Sequence, residues 1–558
     1  MATPEIYVDP LIGASPSEVL AMRGGSYDAG SRTSHELALW APPIQSADMD
    51  LLPEKPIMDA RVRDTLRNDA YVQNGSNIHK DHIVGEVFLL NSKPNYHVLG
   101  LDEVWAEEFQ EEVETKFTLY AESPRNYCDA AAMNTLTGLV RLAVGIHTFA
   151  GEVLASAEWL HKGFRPFSSA LQMIDLDRLS NPDGQMDTQF LRRGVRRDKF
   201  GAPIGYYIRK AHPSDWATDG ANYEWKYVPR TRGQVVGNPG WDRLQIIHIV
   251  DQWRPDQSRG VSSMVAALKE MRMTKKYRDT VLQSAVLNAT YAASIESDLP
   301  HDVVLNQAGG GDTEALTNFG RTYLGEVAKY IGGSRNIHFD GVKVPVFYPG
   351  TKMKLQNAGT PGGVGSDFES SMLRYIAATL GVGYSELSKD YARANYSNLR
   401  AEMAGTERRL KSQKRMVADR FATSFFRLWL EEALNKGEIE SLPRNAPNWY
   451  EGLNADAYTA CEWIGASTGQ IDELKETQAA VLRVNNGLST REAELGRLGK
   501  DYRTVYRQLA REKRMEDELG LTFGADKNSQ NMMNAASGTP ADEGANPRSE
   551  VKGEDTDE

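Results

Sequence analysis

Apolar residues recur at helical spacing along most of this chain and at strand spacing in one block near its middle. Within residues 367–380, Phe368, Met372, Ile376 and Leu380 return every four positions with Leu373 and Ala377 beside them, which predicts a helix with one buried face. Gly381 and Gly383 end that pattern, and over 384–397 polar and aromatic side chains take the place of apolar ones. A second helical pattern fills 396–435, with Leu399, Met403, Leu410, Val417, Phe421 and Phe425 on one side, and is longer than a typical globular helix. Helices are also expected from Met58 onward, over 103–120, over 130–149 with Asp129 as N-cap, and over 261–290. Between 152 and 250 the period changes toward two, predicting a β-rich module in which Asp198 and Gly201 bracket a hairpin turn. Residues 298–352 are mixed, with a helix near 314–330 and strand-like sequence after it, and helices over 471–485 and 490–519 follow later.

The two ends of the chain lack these periods. Residues 1–55 mix Pro, Gly, Ser and Asp with scattered aromatics and read as an extended arm. Beyond Gly524 large aliphatics nearly vanish and acids accumulate, which predicts a disordered acidic tail.

Composition narrows the function classes. With 558 residues the chain exceeds the size at which one core stops growing, so more than one region is expected. Its two cysteines, Cys128 and Cys461, form no C-x-x-C pair, which speaks against a disulfide framework or a zinc site and for a reducing compartment. The N-terminus lacks the basic and apolar regions of a secretory signal, and the most apolar stretch is interrupted by Arg141, His147 and Glu152, so the chain reads as soluble with no membrane partner. A net charge of −12 argues against a general nucleic-acid binder, though not against a surface along which DNA slides.

Candidate chemistry is sparse. The glycine-rich turn at 359–365 lacks the lysine of a phosphate-binding loop, and a flexible strand-to-helix turn is the simpler use. His79, Lys80, Asp81 and His82 offer metal-ligand types, but the lysine and the missing third ligand point to a solvated turn. Arg192, Arg193, Arg196, Arg197 and Lys199 are either a phosphate-binding cluster or the solvated tip of a hairpin. No G-x-S-x-G, H-E-x-x-H or kinase-like set is present, so neither catalytic residues, nor a cofactor, nor a metal are expected. What stands out is the 384–397 loop, whose Lys389, Asp390, Tyr391, Arg393, Asn395 and Tyr396 have little core to build and are expected to touch a partner.

Four segments together resemble the lambda-type family of tailed-phage portal proteins, the head–tail connectors. HIVDQWRPDQSRGVSSMVAAL is similar to the family's strand, R-x-x-Q-x-R-G-V and helix. LRYIAATLGVGYSELSKDYARANYSNLR is similar to its IA-x-x-LG-x-x-Y-x-x-L-x-x-D-Y-x-x-x-NYS-x-x-R signature, with Asn398 in place of a second serine. The helix and VG turn beginning MDARVRDTLRN, and the C-terminal run GLSTREAELGRLGKDY, complete the match from about residue 27 to residue 521.

The resemblance implies an α+β, mostly helical, ring-forming portal fold. It implies an arm (1–55), a wing (56–255), a first stem helix (256–297), a clip (298–352) and a second stem helix (353–382). A tunnel loop (383–397), a long wing helix (398–440), a C-terminal helical crown region (441–523) and the disordered tail (524–558) would follow. It further implies a non-enzymatic conduit at the single capsid vertex of a virion, assembled as a dodecamer in the host cytoplasm and threaded by double-stranded DNA. Its partners would be the terminase large subunit, a head–tail adaptor and the major capsid protein. The loop residues Lys389, Asp390, Tyr391, Arg393, Asn395 and Tyr396 would face DNA, and Lys343, Phe347, Tyr348, Lys352 and Lys354 would form the clip's partner interface. A nucleotide-dependent hydrolase using the 359–365 turn and a minor capsid or scaffold protein remain as alternatives.

Overall fold

A computed structural model describes residues 39–161, 165–232, 243–291, 337–339, 342–344, 365–392, 395–467 and 472–521, together with positions 29, 37 and 321. The arm before residue 39, most of 298–352, the 359–364 part of the glycine-rich turn and the tail beyond 521 lie outside the described residues. The fold is α+β and mostly helical. It divides into two compact units, Met1–Phe88 with Ser92–Glu462, and Leu89–Asn91 with Trp463–Glu558. No helix among the described residues is long and apolar enough to cross a membrane.

The larger unit is built around Arg420–Lys436, whose Phe421, Phe425, Phe426, Leu428, Trp429 and Leu430 are buried. Phe117 of Glu103–Ala121 meets Phe426 and Trp429 edge-on at 5.3 and 5.1 Å, an arrangement that aromatic quadrupoles favour. One acid of this helix is buried for a reason. Glu432 accepts from the Ser168 and Ser169 amides at 2.7 and 2.9 Å, holding the start of strand Ser169–Met173. The helix expected from Met58 is two helices, Lys55–Asn68 and Ala70–Ile83, because Asp69 is extended and its carboxylate caps Tyr71 and Val72. Asp129 does not cap the next helix, which is Leu136–Ala150 with Thr135 as its N-cap. Its carboxylate instead accepts three amides, those of Ala131, Met133 and Asn134, and so folds the turn before that helix. The long pattern over 396–435 is a continuous helical run, Tyr396–Gln413 and Arg420–Lys436, joined by a π-helical turn at Lys414–Asp419.

Among the described residues the period-two block forms two larger antiparallel sheets and a two-stranded pair, Thr231–Arg232 with Arg243–Leu244. Of the larger sheets, one has Glu152–Trp159 between Ile246–Val250 and Ser169–Met173, and the other orders Leu191–Arg192, Val195–Arg197, Pro203–Arg209 and Trp225–Pro229. Leu154, Ile174, Leu179, Val195, Tyr206, Ile208, Val228 and Ile246 share one core. The expected hairpin turn is present, with the Asp198 carboxylate accepting from Phe200 and Ala202 at 2.8 Å and Gly201 at φ 83°.

A buried ionic knot joins this block to the N-terminal helices. Glu152, with no exposure, receives Arg259 at 2.8 Å, Lys55 at 3.2 Å, the Gly260 amide at 2.9 Å and His248 at 3.1 Å. Arg259 spends its other donors on the carbonyls of Leu176, Leu179 and Arg193, and Lys55 donates to Gly260 O at 2.8 Å and pairs with Asp59 at 3.0 Å. Each charge therefore has a compensating partner, as burial demands. Gly151 and Gly260 lie back to back beside it, where a Cβ on Gly260 would stand 2.3 Å from the Gly151 carbonyl. The R-x-x-Q-x-R-G-V segment thus acts inside the molecule. Arg254 pairs with Asp50 at 2.7 Å, Gln257 folds the loop, Ser258 is held by Asp48, and Arg259 and Gly260 enter the knot.

The basic run at 192–199 is divided: Arg192, Arg193 and Arg197 belong to the same system, while Arg196 and Lys199 are exposed, as at a solvated hairpin tip. Arg193 donates to Leu52 O, Arg197 donates to Asp256 O and lies 3.7 Å from Asp48, and Arg196 and Lys199 lie over the rings of Tyr227 and Phe200.

The smaller unit holds the helices Glu473–Asn485, Arg491–Arg497 and Tyr502–Leu519, capped by Asp472, Thr490 and Asp501. Arg483 clamps Glu494 with two bonds of 2.8 Å, which lowers the Glu494 pKa to about 2.

Candidate functional site

The helix Gly365–Leu380 buries Leu373, Ile376, Ala377 and Leu380, while Phe368, at the start of the same row, is half exposed and touches Tyr277. Gly381 then turns the chain at φ 70°, a left-handed conformation that glycine adopts without strain. The loop beyond is more structured than its composition implies. Tyr384–Ser388 forms a helical turn in which Ser385, Glu386 and Leu387 are buried, so only its distal part stands clear.

Three contacts fasten the base. The Glu402 carboxylate, from helix Tyr396–Gln413, accepts the Ser385 amide at 2.8 Å and its hydroxyl at 2.9 Å. Gly383 is required beneath it, since a Cβ there would lie 2.4 Å from Glu402 Oε1. From helix Ala70–Ile83, the Asn74 amide donates to the carbonyls of Glu386 and Leu387 at 3.0 and 2.9 Å, satisfying the end of the short turn. Leu380 and Leu387 seat on Gly75, where a Cβ would meet Leu380 at 2.6 Å.

Below the base runs a buried polar chain. His79 bonds Leu380 O at 3.0 Å through Nε2 and Gln413 at 2.8 Å through Nδ1, and Gln413 reaches His147 at 3.3 Å. The Leu380 carbonyl can only accept, so it takes its hydrogen bond from His79 Nε2, while Gln413 presents its side-chain oxygen to His79 Nδ1 and its side-chain nitrogen to His147 Nδ1. Burial lowers the His79 pKa, and burial together with His79 lowers that of His147 to about 4. The segment expected to be a solvated turn at 79–82 is therefore helix, with His79 in the interior and Asp81 paired with Arg141 at 2.6 Å.

Past the base the loop turns outward over Lys389–Ala392. Lys389 ends the short turn at φ 58°, unusual for a residue with a Cβ, and Lys389, Asp390, Tyr391 and Ala392 are exposed. Asp390 accepts the Ala392 amide at 3.1 Å, shaping the tip. Arg393 lies outside the described residues. Asn395 caps the following helix by accepting the Asn398 amide at 2.8 Å, and Tyr396 is exposed beside it. Of the residues expected at the clip, Lys343 falls in strand Val342–Val344, paired with Ile337–Phe339, and Phe347, Tyr348, Lys352 and Lys354 lie outside the described residues.

Of the residues that hold the loop, Asn74, Gly75, Glu402 and Gln413 were not singled out from the sequence and His79 was read only as part of a solvated turn, because Asn74, Gly75 and His79 are some three hundred residues from the loop. Replacing Glu402 with alanine strands the Ser385 amide, at a cost of about 1–3 kcal/mol. Limited proteolysis between 384 and 397 should then quicken about tenfold or more, with little change in the global unfolding midpoint. Equal cleavage rates would show that Glu402 does not latch the loop.

Asp175, Asp177 and His212 also converge within 4.8 Å. Arg63 already supplies the positive charge there, at 2.6 Å from Asp177 and 3.9 Å from Asp175, so the group is a salt-linked cluster.

Comparisons with known proteins bear on this loop and the helices around it. The family described as phage portal protein, lambda family, matches residues 33–414. Portal protein B of Escherichia phage lambda is 34% identical over 521 residues, 93% of this chain and 95% of that protein. The portal protein of Escherichia phage N15 is 34% identical over 514 residues, covering 92% and 94%. Among solved structures, the neck of an empty GTA particle with C6 symmetry aligns at a TM-score of 0.37 and 14% identity, covering 79% of this chain and 92% of that one.

Proposed function

Because the chain belongs to the lambda family of phage portal proteins, we propose that it closes with copies of itself into a dodecameric ring through which double-stranded DNA enters and leaves the capsid at one vertex. The reading rests on the match to the family along most of the chain, and the fastened loop supports it. A ring repeats that loop around its axis, and closed cyclic symmetry is the usual form of such an assembly. The tip residues Lys389, Asp390, Tyr391, Arg393, Asn395 and Tyr396 then face the DNA. A base held by Glu402, Asn74 and Gly75 lets the tip bear on a moving polymer without loosening the surrounding helices.

The protein acts as a conduit and docking platform rather than as an enzyme. Channel walls that gripped phosphate would stall translocation, whereas a chain of net charge −12 gives weak, screened contact. Motor work falls to the terminase large subunit, docked at the clip near Lys343, Phe347, Tyr348, Lys352 and Lys354. The same face later meets the head–tail adaptor, and the wing region meets the major capsid protein in the virion.

Imaging of the purified chain should show rings with a central hole, and monodisperse monomers under assembling conditions would sink the proposal. Exchanging Lys389 and Arg393 for alanine should impair DNA packaging or retention while rings remain intact. Unchanged packaging would make those side chains bystanders.

A further inference from the structure

Helix Glu473–Asn485 turns its apolar side to solvent. Leu474 and Val481 stand seven residues apart, and Leu488 repeats the step just past the C-cap, where its amide donates to Arg483 O at 2.8 Å. These three side chains and Leu482 are each more than half exposed. Thr477, Gln478 and Asn485 fall on the same side by helical period, so no charge interrupts the stripe. Glu476 and Arg483 fall on the opposite side, and Arg483 is spent on Glu494 of Arg491–Arg497. A helix that serves only its own chain does the reverse, turning its leucines inward and its charges outward.

The neighbouring helices leave the stripe uncovered. None of Glu473–Asn485, Arg491–Arg497 and Tyr502–Leu519 has a buried residue. Helices of this length owe most of their stability in water to the packing of an apolar face. The four aliphatic side chains expose on the order of 400 Å² of apolar surface, the size at which a patch marks an interaction site. A charge-free centre is also what sets the core of a protein–protein interface apart from ordinary surface.

Area points to the occupant. A stable interface buries about 800 Å² on each partner, roughly twice what this stripe offers. The stripe therefore suits a contact that supplements a larger interface between the same two chains, rather than one that must hold a separate partner alone. In a closed ring of copies it recurs at every junction, and one neighbour per chain covers all of them.

We propose that the stripe of Leu474, Val481, Leu482 and Leu488 packs against the smaller unit of the next copy, linking the C-terminal units of adjacent chains. This deepens the portal reading and rests on it.

The test uses full-length chains carrying Val481→p-benzoylphenylalanine, half of them isotopically heavy, mixed before assembly into rings and then irradiated. Mass spectrometry should find cross-linked peptide pairs with one light and one heavy member, at about half of all pairs. Pairs of a single isotope would show that the chain covers its own stripe and would overturn the proposal. So would rings that yield no cross-link at position 481. A second measurement combines L474Q, V481Q and L488Q. Because larger contacts hold the ring, rings should persist on imaging while proteolysis within 473–521 quickens about tenfold. Unchanged cleavage in intact rings overturns this inference and leaves the portal reading standing, whereas an unsubstituted chain that forms no rings brings down both.

Discussion

Replacing Glu152 with alanine should cost the larger unit about 3–5 kcal/mol, because it leaves Arg259 and Lys55 buried without their shared counter-charge. Urea unfolding followed by the fluorescence of buried Trp429 measures it, and a loss under about 1 kcal/mol would mean that water or Asp59 replaces the lost carboxylate. E152Q should fall between the two, since it keeps acceptors for Gly260 and Arg259 but not the charge.

Acid tests the same region with a sign that can be worked out. Burial would raise the Glu152 pKa, but Arg259, Lys55 and the His248 bond hold it well below 4.5. Its contribution is therefore whole above 4.5 and is lost only as pH falls through the lower, folded value. His79, His147 and His248 differ, because burial lowers all three below 6.5, that of His147 to about 4. The unfolded chain protonates these first, so their stabilising share is present above 6.5 and shrinks as pH falls. The slope is up to about 1.4 kcal/mol per pH unit for each histidine. Stability should thus decline from pH 6.5 downward while Glu152 is still ionised, and H147N should flatten the slope. A midpoint constant between pH 7 and 5 would count against the buried neutral histidines.

Gly260→Ala should be at least as damaging, at about 3 kcal/mol or more. The new Cβ would lie 2.3 Å from the carbonyl carbon and oxygen of Gly151 and 2.7 Å from Glu152 Cβ. Two of those atoms are backbone, so relief requires moving the strand that carries Glu152 and opening the knot with it. Gly437 provides the control, since it has φ 71° but open space around its Cβ position, and G437A should cost only about 1 kcal/mol. Thermal melts of the two variants decide between them, and a G260A protein that melts with the G437A protein would show that the two glycine faces can part.

What the sequence could reveal depended on range. Leu373, Ile376, Ala377 and Leu380 are buried as their spacing predicts, because a helix repeats its face locally. The exposure of Lys389 to Ala392 follows equally from their polarity. The burial of Leu387 does not, since its seat is Gly75. His79 misleads for a related reason: Lys80, Asp81 and His82 suggest solvent, yet successive helical residues point in different directions and only one of them faces Gln413 and Leu380. Asp129 and Thr135 are both good cap residues, and the choice between them rests on a turn that consumes the Asp129 carboxylate. The π-helical turn at Lys414–Asp419 leaves no compositional trace. The R-x-x-Q-x-R-G-V segment was legible as a family resemblance, but its physical task depends on Glu152, Asp48 and Asp50, each far away in the chain.

The ionic knot also sets an order of events at the ribosome. Lys55 bonds Gly260, 205 residues later, and Asp48 waits 210 residues for Ser258. At about 5–20 residues per second, some 10–40 s of synthesis separate the emergence of these partners. Helices Ala47–Leu51 and Lys55–Asn68 therefore wait for their partners, and until residue 260 leaves the exit tunnel their charged and apolar faces are open to chaperones.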